Sequence, residues 1–109
     1  MKTTRAKWLP QKAQDNLKIV GEQIKLARLR RNLSMAAMSE RANCSELSLI
    51  RIERGEPSVS IGIYMRVLYG LGLHDDILQI AKQDETGRNL QDLELKNRNK
   101  HNKEEYDFD

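Results

Sequence analysis

The chain is poor in the residues that staple or stiffen small folds. It has one cysteine, Cys44, so no internal disulfide is possible and a four-cysteine zinc site is excluded. Its two histidines, His74 and His101, stand too far apart to form a helical metal pair, and no metal or other cofactor is expected. Two prolines and six glycines are too few for an all-β fold with many tight turns. Aromatics make up only 5% of residues. Three of them, Trp8, Tyr106 and Phe108, lie near the ends, so a core must come from Leu, Ile, Val, Met and Ala. No apolar run approaches the roughly 18 residues of a membrane span. No apolar stretch follows Met1-Lys2-Thr3-Thr4-Arg5, so no signal peptide is expected. The expected location is the cytoplasm, where thiols stay reduced. With 109 residues there is room for one domain and a tail.

The net charge of +3 is unevenly spread. Residues 1–31 hold nine basic and two acidic side chains, for +7. Residues 32–73 hold four of each, and residues 74–109 hold six basic and ten acidic, for −4. The basic end suits a polyanion such as nucleic acid. The acidic end suits a protein partner, or none.

Periodicity predicts helices. Pro10 can open one at its first position. Leu17, Val20, Ile24 and Ala27 then step along one face, with Leu26, Leu29 and Leu33 as an adjacent row. This gives one long helix to about Arg31, or two if Gly21 breaks it. Ser34 can cap a second helix, Met35 to Ala42, with Met35, Met38 and Ala42 facing one way. Asn43 suits the left-handed position that ends it. Ser45 then caps a third helix, Glu46 to Arg54, ended by Gly55. Val59 and Ser60 open a fourth, reaching about Tyr69, with Tyr64, Val67, Leu68 and Leu71 as its apolar side. Asp75 and Asp76 sit where a fifth would start, with Ile77, Leu78 and Ala81 as its core face. Thr86 to Leu95 can form a short amphipathic helix. Residues 96–109 are expected to be mobile.

Only three residues, Asn43-Cys44-Ser45, separate the second and third helices. That is the spacing of a helix-turn-helix. In such a unit the first helix crosses the DNA backbone and the second reads the major groove with its N-terminal residues. The second must be apolar inward, here Leu49 and Ile52. It must carry hydrogen-bonding groups outward or sideways, here Ser45, Glu46, Ser48 and Arg51. Arg51 is the candidate base reader, because a guanidinium matches guanine O6 and N7. The other reading is a surface arginine, but neither Glu46 nor Glu53 stands three or four residues away to pair with it. Glu46 either accepts from cytosine N4 or satisfies the helix dipole. Leu47 either reaches a thymine methyl or belongs to the core. Ser34 and Ser45 are caps in any case, and as caps they would lie near phosphates. Cys44 is expected to pack inward. Glu53, near a helix C-terminus, needs a cation, and Arg28 is the candidate.

At these residues the chain resembles the Cro/repressor-type helix-turn-helix family, also called the xenobiotic-response-element family. The likeness runs from Gly21 to Leu73. It comprises the basic stretch Arg28 to Arg31, Ser34, the two-helix unit and Glu53-Arg54-Gly55. It implies an all-α fold, a five-helix lambda-repressor-like DNA-binding domain over residues 10–82. A flexible basic arm (1–9) would precede it, and a partner-binding or disordered tail (83–109) would follow. It also implies that Ser45, Glu46, Leu47 and Arg51 face bases, and that Arg28 both faces the DNA and pairs with Glu53. The chain departs from the family at Met35, where a phosphate-binding Gln is common, and at Glu46 and Leu47, where amides are common. A narrower resemblance, carried by Gly55 to Ser60, Tyr64, Val67-Leu68, Leu71-Gly72-Leu73 and Asp84 to Leu95, is to HipB-like antitoxins. These pair with HipA-like kinase toxins, in some cases with a third small protein. This resemblance implies a homodimer that binds a double-stranded DNA operator and represses its own operon.

Leu73, Ile77, Leu78 and Ile80 are expected either to join two copies or to close the monomer core. The basic arm (Lys2, Arg5, Lys7, Lys12) either touches phosphates or is merely solvated. The acidic tail around Tyr106 and Phe108 either docks on a protein or solubilises. A general repressor without a toxin, or an interaction module that has lost DNA binding, are the rival readings. An enzyme is not expected: there is no Ser/His/Asp set, phosphate loop or metal cluster. His74 beside Asp75 and Asp76 reads more readily as a helix start than as an acid–base site.

Overall fold

The computed structural model describes residues 8–99, which are all-α: helices and no strand among the described residues. They contain α1 (Gln11–Arg30), α2 (Met35–Ala42), α3 (Glu46–Arg54), α4 (Ile61–Leu71), a 3-10 segment (His74–Gln79) and α5 (Glu85–Asn99). No helix among them is long and apolar enough to cross a membrane. The chain divides into two compact units, one ending at Ile77 and one beginning at Leu78.

In the first unit, serine caps open three helices. Ser34 Oγ accepts from the Ala37 N–H at 3.0 Å, Ser45 Oγ from Ser48 at 3.0 Å and Ser60 Oγ from Ile63 at 3.3 Å. Each satisfies a donor that the first helical turn leaves free. Closure is equally regular. Asn32, Asn43, Gly55 and Gly72 adopt left-handed backbone at φ 55°, 54°, 76° and 77°. The residue after each returns its N–H to a carbonyl five residues back, as in Leu33 to Arg28 (3.2 Å) and Glu56 to Arg51 (3.0 Å).

α1 packs on α3, and α2 packs on α3 and α4. Ile24, Ala27, Met38, Ala42, Leu49, Ile52, Val67 and Leu71 form the buried core. Burying each large side chain is worth about 1.5–3 kcal/mol. α1 is unbroken, and Gly21 serves packing rather than bending. A Cβ there would stand 2.5 Å from the Ile52 carbonyl oxygen and 2.7 Å from that of Glu53. Gly55 meets the same helix from the other side, where a Cβ would fall 2.6 Å from the Lys18 Cα. The end of α3 therefore lies directly on the α1 backbone. Val20, assigned by its spacing to the core face, is exposed. At that level Gly21 and Leu17 take the contact with the end of α3.

The expected fifth core helix is absent. His74–Gln79 is 3-10 with no buried residue, and Ala81 has φ 60°, which an α-helix cannot accommodate. Leu78 and Ala81 are exposed rather than core. In the second unit, the Asp84 carboxylate accepts from the Gly87 N–H at 3.0 Å and opens α5. Arg88 Nη2 donates to the Lys82 carbonyl at 3.1 Å. α5 runs on through residues 96–99, part of the stretch expected to be mobile.

Candidate nucleic-acid interface

The Asn43-Cys44-Ser45 turn sets α3 against α2. Arg66 Nη1 on α4 ties the turn down by donating to the Asn43 carbonyl at 3.0 Å. Cys44 is half-buried and packs on the core. Burial pushes its thiol up, partly offset by Arg66, so it is a poor nucleophile.

α3 is divided along its faces. Leu49 and Ile52 are fully buried, while Glu46, Leu47 and Arg51 are exposed. Leu47, 53% exposed, is thus a surface side chain and not part of the core. Ser45 and Ser48 act together: the Ser48 N–H donates to Ser45 Oγ, and the Ser45 hydroxyl donates to Ser48 Oγ at 3.0 Å. Arg51 has a carboxylate neighbour that helical spacing did not offer. Its Nε lies 3.8 Å from Glu56 Oε1, and Arg54 Nη1 lies 3.9 Å from Glu56 Oε2. The Gly55 closure brings Glu56 back over the last turn, and the run Glu53-Arg54-Gly55-Glu56 is the signal that could have shown it. Both contacts are long and solvent-exposed, so they contribute little.

Arg28 is placed differently from the other candidates. Its Nε and Nη2 donate to the two Glu53 oxygens at 2.7 and 3.1 Å, and its Nη1 donates to the Leu33 carbonyl at 2.9 Å. The side chains of the pair are only 9% and 6% exposed. The hydrogen bond to Glu53, reinforced by charge attraction, raises the Arg28 pKa against the opposing effect of burial. Arg28, expected both to face DNA and to pair with Glu53, is engaged inward at all three nitrogens and is not free to take a phosphate.

Of the four apolar residues proposed to join two copies, Leu73 packs on the core and Ile77 is half-buried. Leu78 and Ile80 are exposed. Ser34, at the start of α2, lies at the surface, and Met35 beside it is half-buried against the core. Lys2, Arg5 and Lys7 of the basic arm, His101 and the acidic residues 104–109 lie outside the described residues. Lys12 is exposed on the first turn of α1. No family model, curated protein or solved structure matches the chain.

Proposed function

We propose that this chain is a sequence-specific, double-stranded DNA-binding transcriptional repressor of the Cro/repressor helix-turn-helix type. In this reading α2 lies across the phosphate backbone and α3 enters the major groove by its N-terminal end. One observation carries it. α3 seals Leu49 and Ile52 into the core while Glu46, Leu47 and Arg51 stand in solvent on a helix whose start is capped by Ser45. Arg51 is the base reader, and displacing its loose contact with Glu56 costs little. Glu46, Leu47 and the Ser45–Ser48 pair set the remaining preference, and Ser34 meets a phosphate at the start of α2.

The operator is read by a homodimer, with half-sites about 34 Å apart. Leu78 and Ile80 offer apolar surface for that pairing. The resemblance at Gly55 to Ser60 and at Asp84 to Leu95 supports the narrower reading of an antitoxin that represses its own operon and holds a HipA-like kinase, with or without a third small protein. The kinase encoded by a neighbouring reading frame, co-expressed and co-purified with this chain, is the test of that part. Without it the chain is a general repressor. A second reading, an interaction module that has lost DNA binding, is favoured by Met35, whose side chain turns to the core instead of offering an amide to a phosphate.

The deciding measurement is operator affinity at fixed salt. Arg51→Ala is expected to weaken specific binding by about 1–3 kcal/mol with thermal stability unchanged. Equal affinity for wild type and variant would remove Arg51 from the readout. Wild-type binding that does not weaken with added salt would favour the interaction module.

A further inference from the structure

Gly55 turns the chain back at φ 76°, and the next residue lands beside Arg51. The Glu56 N–H donates to the Arg51 carbonyl at 3.0 Å, which fixes where the Glu56 side chain starts. The turn itself is pressed against α1, since a Cβ on Gly55 would fall 2.6 Å from the Lys18 Cα. A rigid frame thus presents the carboxylate to two guanidiniums. Oε1 lies 3.8 Å from Arg51 Nε, and Oε2 lies 3.9 Å from Arg54 Nη1. The other charges around this turn are placed differently. Glu53 is engaged by Arg28, and Glu22 and Lys25 line a groove with Arg54 and not with Arg51. Among the described residues, Glu56 is the only carboxylate within ion-pair reach of Arg51.

We propose that Glu56 is a specificity-determining residue that acts through Arg51, an inference that rests on the DNA-binding reading. Its closest approach is to Nε, at the inner edge of the guanidinium. The two terminal nitrogens are left to meet guanine O6 and N7 end-on, with the carboxylate still behind them. A phosphate is different. It draws Arg51 by charge, and it must bring a second anion up to the Glu56 carboxylate to do so. At about 4 Å that repulsion is worth roughly fivefold in affinity even in water. Glu56 therefore penalises the hold of Arg51 on the DNA backbone and spares its hold on a base edge. The pair adds little to folding. What it governs is the choice between base and phosphate.

Selection of the full chain on a random duplex pool yields the operator. Affinities for that operator and for a random duplex are then compared at one low salt concentration, where surface charges are least screened. Glu56→Gln keeps the size and the backbone bond and removes the charge. The side chain is 39% exposed, so the melting temperature is expected to hold. The variant is expected to bind random duplex about fivefold more tightly while gaining less than about twofold on the operator. In an Arg51→Ala background the same substitution is expected to leave the ratio of the two affinities unchanged, since Arg51 no longer chooses between them. Repeating the selection with Glu56→Gln is expected to relax the preference at the position that Arg51→Ala loses. A ratio unaffected by Glu56→Gln, or an equal fall in both backgrounds, would overturn the proposal alone. A wild type that prefers no duplex over another would remove the DNA-binding reading and the proposal with it.

Discussion

The Arg28 guanidinium joins the end of α1, the loop before α2 and the end of α3 through one planar group. Lysine cannot reproduce this, because it has no fork to meet both Glu53 oxygens. Arg28→Ala strands a nearly buried carboxylate and is expected to lower stability by about 3–5 kcal/mol, read by urea or thermal unfolding. Tyr64 behaves oppositely. Its hydroxyl is buried with no hydrogen-bond partner among the described residues, and burial raises its pKa, as it does for Cys44. The folded chain thus holds these two protons more tightly than the unfolded chain. That contribution to stability is complete below the ordinary cysteine value of about 8.5 and is lost as pH rises through the raised values. Tyr64→Phe is expected to leave stability unchanged or raise it by up to about 1 kcal/mol at neutral pH. It also flattens the alkaline fall in melting temperature. A clear loss at pH 7 would mean that the hydroxyl has a partner.

At the scale of the element, Gly21 sets propensity against packing. Alanine favours an isolated helix by about 1 kcal/mol, yet a Cβ here meets two carbonyl oxygens of α3. Overpacking of this kind costs about 1–3 kcal/mol, and the obstructing atoms are backbone, so Gly21→Ala is expected to destabilise. Equal or higher melting temperature in the variant would show that α1 and α3 can part. Asp84→Ala removes the only side-chain cap of α5 among the described residues and is expected to reduce helicity in that segment alone, measured by amide exchange. These elements also show what the sequence could reveal. Ser34, Ser45, Asn43 and Gly55 were legible because capping is local chemistry. The faces of α2, α3 and α4 followed from helical spacing. The fifth core helix was not legible, since nothing local announces that Ala81 takes positive φ. The role of Gly21 was hidden because it depends on a carbonyl some thirty residues away, and the Arg51–Glu56 contact because it forms only after the chain turns at Gly55.

For the molecule as a whole, every core residue lies between Ile24 and Leu71, inside the first unit. A chain ending at Ile77 is expected to unfold in one cooperative transition near the full-length melting temperature. A clear drop in melting temperature would assign the second unit a structural part in the first. Under the DNA-binding reading the same truncation removes Leu78 and Ile80 and is expected to weaken operator binding; unchanged affinity would take these two residues out of the pairing. Charge divides along the chain as well, with the basic residues concentrated ahead of α2 and α3 and the acidic excess beyond α4.

The grip on α3 spares its outward side chains. Gly21, Gly55 and the Arg28–Glu53 pair hold its last turn and Arg66 holds the turn that precedes the helix, while Glu46 and Leu47 at its first turn carry no burden of the core. Like a tool holder, the frame can take new side chains at these two positions without loosening the mount. Under the DNA-binding reading, operator preference can then drift through successive substitutions at Glu46 and Leu47 that leave folding untouched. Lineages of such chains could diverge in the sequences they address while keeping one frame.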